Sequence, residues 1–148
     1  MKISFASRTG VSRMEGNGKV LISIRDPNKS KPVLAYKWDD ILELNFDDLC
    51  PNELKVIGRS DLIQGSKFFS EEDAKSILEF VAKHGGEKEI VVHCEKGRSR
   101  SAAVAIFLAD KFGEIGNEKE YVDKCNPNPH VASILQKVYQ GSVEDESN

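Results

Sequence analysis

The 148-residue chain predicts an α/β fold, with a mostly parallel central sheet flanked by helices in three layers. Three observations carry that expectation. Val20-Leu21-Ile22-Ser23-Ile24 and Glu89-Ile90-Val91-Val92 are short β-branched runs that suit buried strands. Helical patterns are interleaved with such runs, and a helical crossover between two strands of one sheet sets those strands parallel. Finally, two polar segments each directly follow a strand, at Asp47-Asp48 and at Cys94, and open α/β sheets bind ligands beyond the carboxyl ends of their strands.

Each element has a local justification. Ile3-Ser4-Phe5 suits a first strand, and residues 7–13 read as a polar connector. The strand at 20–24 ends in the turn Asp26-Pro27-Asn28. Leu42, Leu44 and Phe46 alternate as a strand that closes on Asp47-Asp48, and residues 49–64, with Pro51 and Gly58, read as irregular. The clearest helix starts after Ser70, a capping side chain followed by Glu71, Glu72 and Asp73, which suit the positive end of the helix dipole. Its positions Ala74, Ile77, Leu78 and Val81 fall on one face, and Gly85-Gly86 ends it. A second, apolar helix runs from Ser101 to a stop near Gly113. Asn126-Pro127-Asn128-Pro129 breaks the chain before a last helix from about His130 to Tyr139. With no repeat or composition break, residues 1–141 are expected to form one domain, and the acidic residues 142–148 a disordered tail.

Composition narrows the function classes. Hydrophobic residues make up 39% and charged residues 30%, as in an ordinary globular protein. A net charge of -3 argues against nucleic acid or anionic membrane as a partner held by bulk charge. No apolar run has the length of a bilayer span and no signal-peptide pattern opens the chain, so a cytoplasmic monomer is the expectation. Cys50, Cys94 and Cys125 are too few and too scattered for a disulfide framework or a structural zinc site. No metal and no cofactor is expected.

The chemistry concentrates in His93-Cys94-Glu95-Lys96-Gly97-Arg98-Ser99-Arg100-Ser101. A tight loop from strand to helix aims backbone N–H groups and the positive helix end at one spot, which suits an anion. Cys94 held there is a nucleophile, since thiols at helix N-termini beside cations ionise more readily. The N–H groups of Glu95, Lys96, Gly97, Arg98, Ser99 and Arg100 are the expected phosphate cradle. Arg100 can also hold two oxygens of a tetrahedral anion through its planar fork. Gly97 permits a backbone conformation closed to most residues. Ser101 can hydrogen-bond the sulfur, and His93, facing away from its neighbour, is expected to orient the loop.

His93-Cys94-x-x-Gly97-x-x-Arg100-Ser101 resembles the signature of the cysteine-dependent protein tyrosine phosphatases in their small dual-specificity form. The resemblance implies a phosphatase-like sandwich and a phosphocysteine mechanism without metal, acting on a phosphorylated protein or peptide. It also implies a general acid on a loop after the preceding strand. Asp48 fits that context best, Asp47 next; Asp61 matches the usual spacing from the cysteine but not the strand-end setting. The tryptophan-proline-aspartate loop and glutamine motif of the family's larger members are absent.

Other readings compete. Lys96 and Arg98 read either as solvated loop cations or as contacts to a highly anionic substrate such as a phosphoinositide or an RNA 5′ phosphate. Sulfurtransferases and arsenate-reducing relatives hold a cysteine in a similar loop, but Gly97 and Arg100-Ser101 argue against them. A catalytically silent phosphate-binding module is the non-enzymatic alternative. Cys50, two residues after Asp48, could trap an oxidised Cys94 as a disulfide. His84 and His130 read as helix-end residues, and Tyr36 and Trp38 as core or rim.

Overall fold

The computed structural model describes residues 1–147, with side chains through Glu144. Its five strands are β1 (Lys2–Ser7), β2 (Gly16–Arg25), β3 (Trp38–Asn45), β4 (Glu89–Cys94) and β5 (Glu114–Ile115). They form one sheet in the order β3-β2-β4-β1-β5, with every neighbouring pair parallel. The central strands are covered on both faces, which is why Ile90-Val91-Val92 in β4 are apolar in succession without alternation. Ser7 pairs with Cys94 and Ser23 with His93, so β1, β2 and β4 end together at one edge.

The two faces of the sheet are unequal. One carries α3 (Glu71–His84), α4 (Arg100–Phe112) and α6 (Pro129–Ser147) over the main core, which includes Phe5, Ile22, Phe46, Ile77, Val92, Leu108 and Leu135. The other is covered by the short α1 (Arg8–Ser12) and the chain beyond β2, with Val11, Leu21, Trp38 and Val91 buried beneath. Fully burying a large aliphatic or aromatic side chain is worth about 1.5–3 kcal/mol, so the thick face dominates stability. Side chains alternate along a strand. Cys94 therefore faces the thick layer with Ile90 and Val92, beside α4, and His93 falls on the thin side with Val91.

Local chemistry explains the helix ends. Ser70 accepts from the Asp73 N–H while the Asp73 carboxylate accepts from the Ser70 N–H, a reciprocal cap at the start of α3. Gly85, left-handed at φ 43°, ends that helix.

Several elements differ from the sequence expectation. Residues 8–12 are helical because Ser7 caps them, accepting from the Gly10 N–H. The stretch read as irregular contains α2 (Pro51–Val56), begun by a proline in its first turn, and a 3-10 turn (Ser60–Leu62). β5 and α5 (Lys119–Asp123) lack any sequence periodicity because each is so short. The last helix continues past Tyr139 to Ser147, so most of the segment expected to be a disordered tail is helical. Gln140 bonds Glu144, and Val143 lies with Met1, Val81 and Tyr139 around one hollow, giving this stretch local partners. Asn148 lies outside the described residues. Among the described residues no helix is long and apolar enough to cross a membrane.

Candidate active site

Cys94 ends β4, Arg100 opens α4, and the five residues between them curl over the carboxyl edge of the sheet. A hollow of about 360 Å³ opens there, with Cys94, 2% exposed, among its lining residues. The Ser101 hydroxyl sits 3.0 Å from the Cys94 sulfur. Ser99 occupies the N-cap of α4 without capping it; its hydroxyl instead donates to Asp48 Oδ1 at 2.7 Å. The first turn of α4 thus keeps free N–H groups facing the loop.

The loop's carbonyls reveal how its peptides are oriented. The Glu95 carbonyl accepts from the Arg8 N–H, Arg98 from the Asn126 N–H, and Ser99 from the Asn128 and Ala103 N–H groups. The Gly97 carbonyl accepts from the Tyr121 hydroxyl at 2.9 Å. Because C=O and N–H point oppositely across a trans peptide, these outward ties turn the N–H groups of Lys96, Arg98, Ser99 and Arg100 toward the interior of the loop. Among the described residues, no acceptor takes the N–H groups of Lys96, Gly97, Arg98 or Ser99. Burial, then the charge of Cys94, pushes the Tyr121 phenol up from its ordinary value, so the hydroxyl remains a donor.

Gly97 is required here for two reasons. Its φ is 69°, and a Cβ would stand 2.5 Å from Ala6 C and Ser7 N. The loop is therefore pressed against the β1–α1 corner through a residue with no side chain.

The His93 ring is fully buried and hydrogen-bonded at both nitrogens. Burial pushes its pKa down from 6.5 to about 4, so the ring is neutral at physiological pH. Nδ1 faces the Cys94 carbonyl at 3.2 Å and must be the protonated nitrogen; Nε2, 2.6 Å from Ser23 Oγ, then accepts from that hydroxyl.

Arg100 is 4% exposed. Its Nη1 donates to Asp26 Oδ1 at 2.8 Å and to the Phe46 carbonyl at 2.7 Å. Its Nε is buried without an acceptor among the described residues. One corner of the fork is thus held by protein, leaving the Nε–Nη2 edge for a ligand. Lys29 bridges Asp26 and Glu95, at 3.6 and 3.4 Å. Lys96 and Arg98 also line the hollow, exposed and without an ion pair among the described residues.

The three acid candidates separate. Asp48 lines the Cys94 hollow. Asp47 does not: its Oδ2 accepts from the Lys67 N–H at 2.8 Å, and its own N–H donates to the Lys67 carbonyl. Asp61 lies exposed on the 3-10 turn, paired with Arg59, which holds its carboxyl below the usual carboxylate range. Cys50 is buried at the start of α2 and opens into a neighbouring hollow of about 600 Å³, of which Asp48 and Ser99 form the shared wall. His84 bonds Asp40 near the end of α3, and His130 bonds the Phe69 carbonyl. Trp38 is buried, whereas Tyr36 is exposed.

Sequence reasoning missed Asp26, Tyr121 and Asn128. Asp26 directly follows β2, so the strand-end logic that singled out Asp48 applies to it equally. Tyr121 reaches the loop from α5, too short to show periodicity, and Asn128 from the Asn126-Pro127-Asn128-Pro129 stretch, which carries only breaker signals.

No family model and no curated protein sequence matches the chain. Among solved structures it is similar to the human tyrosine phosphatase-like serine/threonine/tyrosine-interacting protein, with 22% identity over 84% of this chain and 78% of that one and a TM-score of 0.41. It is also similar to human DUSP28, with 20% identity over 86% and 82% and a TM-score of 0.47.

Proposed function

We propose that the chain is a metal-independent phosphatase that hydrolyses phosphomonoesters through a phosphocysteine intermediate on Cys94. Phosphotyrosine in proteins is the leading substrate class, with phosphoserine and phosphothreonine beside it. The observation that supports this most is the Cys94 loop itself. Its N–H groups are turned inward by outward carbonyl ties, around a sulfur that also meets the Ser101 hydroxyl.

In this reading the Cys94 thiolate attacks phosphorus, forming an S–P bond as the P–O bond to the leaving group breaks. The loop N–H groups and the Nε–Nη2 edge of Arg100 take the equatorial oxygens, whose charge is greatest in the transition state. Asp48 protonates the departing oxygen. Water then attacks the phosphocysteine, giving its proton to Asp48, and the thiolate leaves with a hydrogen bond from Ser101. Asp26 holds Arg100 in place throughout.

Hydrolysis of an aryl phosphate in the presence of EDTA tests the reading. Turnover in wild type that disappears in Cys94→Ser supports it. Asp48→Asn is expected to lose about 10²-fold or more on a poor leaving group. Activity that EDTA abolishes, or that survives in Cys94→Ser, contradicts it.

A second substrate reading draws on Lys96 and Arg98, cations without an ion pair among the described residues, on the rim of an otherwise acidic chain. They favour a substrate with further negative charge, such as a phosphoinositide or an RNA 5′ phosphate. Lys96→Ala with Arg98→Ala would then cost such a substrate far more than a simple aryl phosphate.

A further inference from the structure

We infer that Asn128 is a positioning residue for the general acid, fixing which oxygen of Asp48 carries the transferable proton. The inference rests on the phosphatase reading above. Asn128 is 5% exposed and its amide orientation is settled by its surroundings. Its Oδ1 accepts from the His130 and Val131 N–H groups, at 2.9 and 3.2 Å, so the opposite end must be the NH₂ group. That Nδ2 donates to Asp48 Oδ1 at 2.9 Å and to the Leu49 carbonyl at 3.2 Å. Its backbone N–H donates to the Ser99 carbonyl of the nucleophile loop. One side chain thus caps α6 and binds the acid loop, while the same residue's backbone holds the phosphate cradle.

The consequence for Asp48 is asymmetry. Oδ1 accepts twice, from Asn128 Nδ2 and from Ser99 Oγ at 2.7 Å. Oδ2 has no partner among the described residues. A proton on Oδ1 would have to displace one of two donors, so the acid form carries its proton on Oδ2. During bond cleavage that proton passes from Oδ2 to the leaving oxygen, and the resulting carboxylate keeps both donors. Asp48 is otherwise an exposed residue on a loop. Without these two bonds it would sample many rotamers, and an acid that is misplaced by about an ångström loses much of its effect.

A general acid matters most when the leaving group is a poor one, and this distinguishes positioning from a merely structural role. Asn128→Asp keeps the oxygen that caps α6 but replaces the donor toward Asp48 with an acceptor. Ser99→Ala removes the other donor without touching that cap, and carries the test should Asn128→Asp fail to fold in a circular-dichroism melt. For both variants, kcat/KM would be measured on phenyl phosphate and on p-nitrophenyl phosphate, with the pH profile of kcat. The expected result is a loss on phenyl phosphate about ten-fold larger than on p-nitrophenyl phosphate, with a weakened alkaline limb. Equal losses on both substrates, or none, with wild type active, would overturn the inference and leave the phosphatase reading standing. No turnover by wild type on either substrate would overturn both together.

Discussion

The Cys94 loop and the Asp48 loop, proposed to supply nucleophile and general acid, meet over one hollow but are held by different means. The nucleophile loop is sandwiched between β1, α4 and the α5–α6 connection, with four carbonyls tied from outside and Gly97 pressed to van der Waals limits against Ala6 and Ser7. The Asp48 loop leaves the end of β3 with Phe46 buried as an anchor, edge-on to Phe69, and backbone hydrogen bonds hold Phe46 to Arg25 and Asp47 to Lys67, whereas Asp48 itself is held through polar side chains. The Cys94 loop is fixed along its length by packing and backbone hydrogen bonds, whereas the Asp48 carboxylate is held by Ser99 and Asn128 side chains reaching for it. In the proposed mechanism, a cradle for a fixed tetrahedral anion benefits from rigidity, whereas an acid that serves two steps needs only to be aimed.

This contrast makes substitutions in the nucleophile loop the more damaging. The largest expected effect is from Gly97→Ala, which adds a Cβ 2.5 Å from backbone atoms at a φ of 69°. It should destabilise the fold by at least about 2 kcal/mol, read as a fall in thermal midpoint, and lower vanadate affinity. Unchanged affinity and stability would mean the loop is not pinned at that corner.

His93 comes next and has a direction in pH. Its folded pKa of about 4 lies below the ordinary 6.5, so between those values the unfolded chain binds a proton that the folded one refuses. Stability from this residue is therefore complete above about pH 6.5 and is lost as pH falls toward 4, by up to about 3 kcal/mol. Denaturant melts of wild type and His93→Gln from pH 7 to about 4 should show a shallower acid loss in the variant. Parallel curves would sink this assignment.

Asp26→Asn removes the charge that holds Arg100 Nη1 while leaving the arginine buried. Asp26 is partly solvated, which moderates the effect. Roughly ten-fold weaker phosphate or vanadate binding is expected, measured by competition, with little change in global stability. Tyr121→Phe deletes one hydroxyl donor to the Gly97 carbonyl and should cost about 1 kcal/mol, a several-fold loss in kcat/KM. On the acid loop, Asp47→Asn should stay within about two-fold of wild type, because its carboxylate serves Lys67 rather than the hollow. A large loss of activity there would reassign the acid.

The same contrast governs what could be read from sequence. The strand, loop and helix around Cys94 are contiguous, so their hydrophobic run, glycine and arginine fork are legible together, and α3 is legible from its cap and one-sided apolar face. The strand end ranks Asp48 ahead of Asp47, with Asp61 third, from sequence alone, but the contacts of Asp48 with Ser99 and Asn128, from 51 and 80 positions away, are not legible there. Asp26 escaped notice because Asp26-Pro27-Asn28 is an ordinary turn signal, and its partner Arg100 lies 74 residues on. The short α1, α2 and α5 escaped because five or six residues hold too little periodicity to show. The extension of α6 to Ser147 escaped because acidic composition resembles that of disordered chain.

The central claim is a covalent bond between Cys94 and phosphorus. Acid quenching of the Asp48→Asn variant during turnover of p-nitrophenyl phosphate, followed by peptide mapping in the mass spectrometer, tests it most directly. The predicted result is one phosphoryl group on the peptide that contains Cys94, accumulating because Asp48 is needed to activate water, and absent when Cys94→Ser is added. Turnover with no phosphoryl group on that peptide, or with the label on another residue, would contradict it.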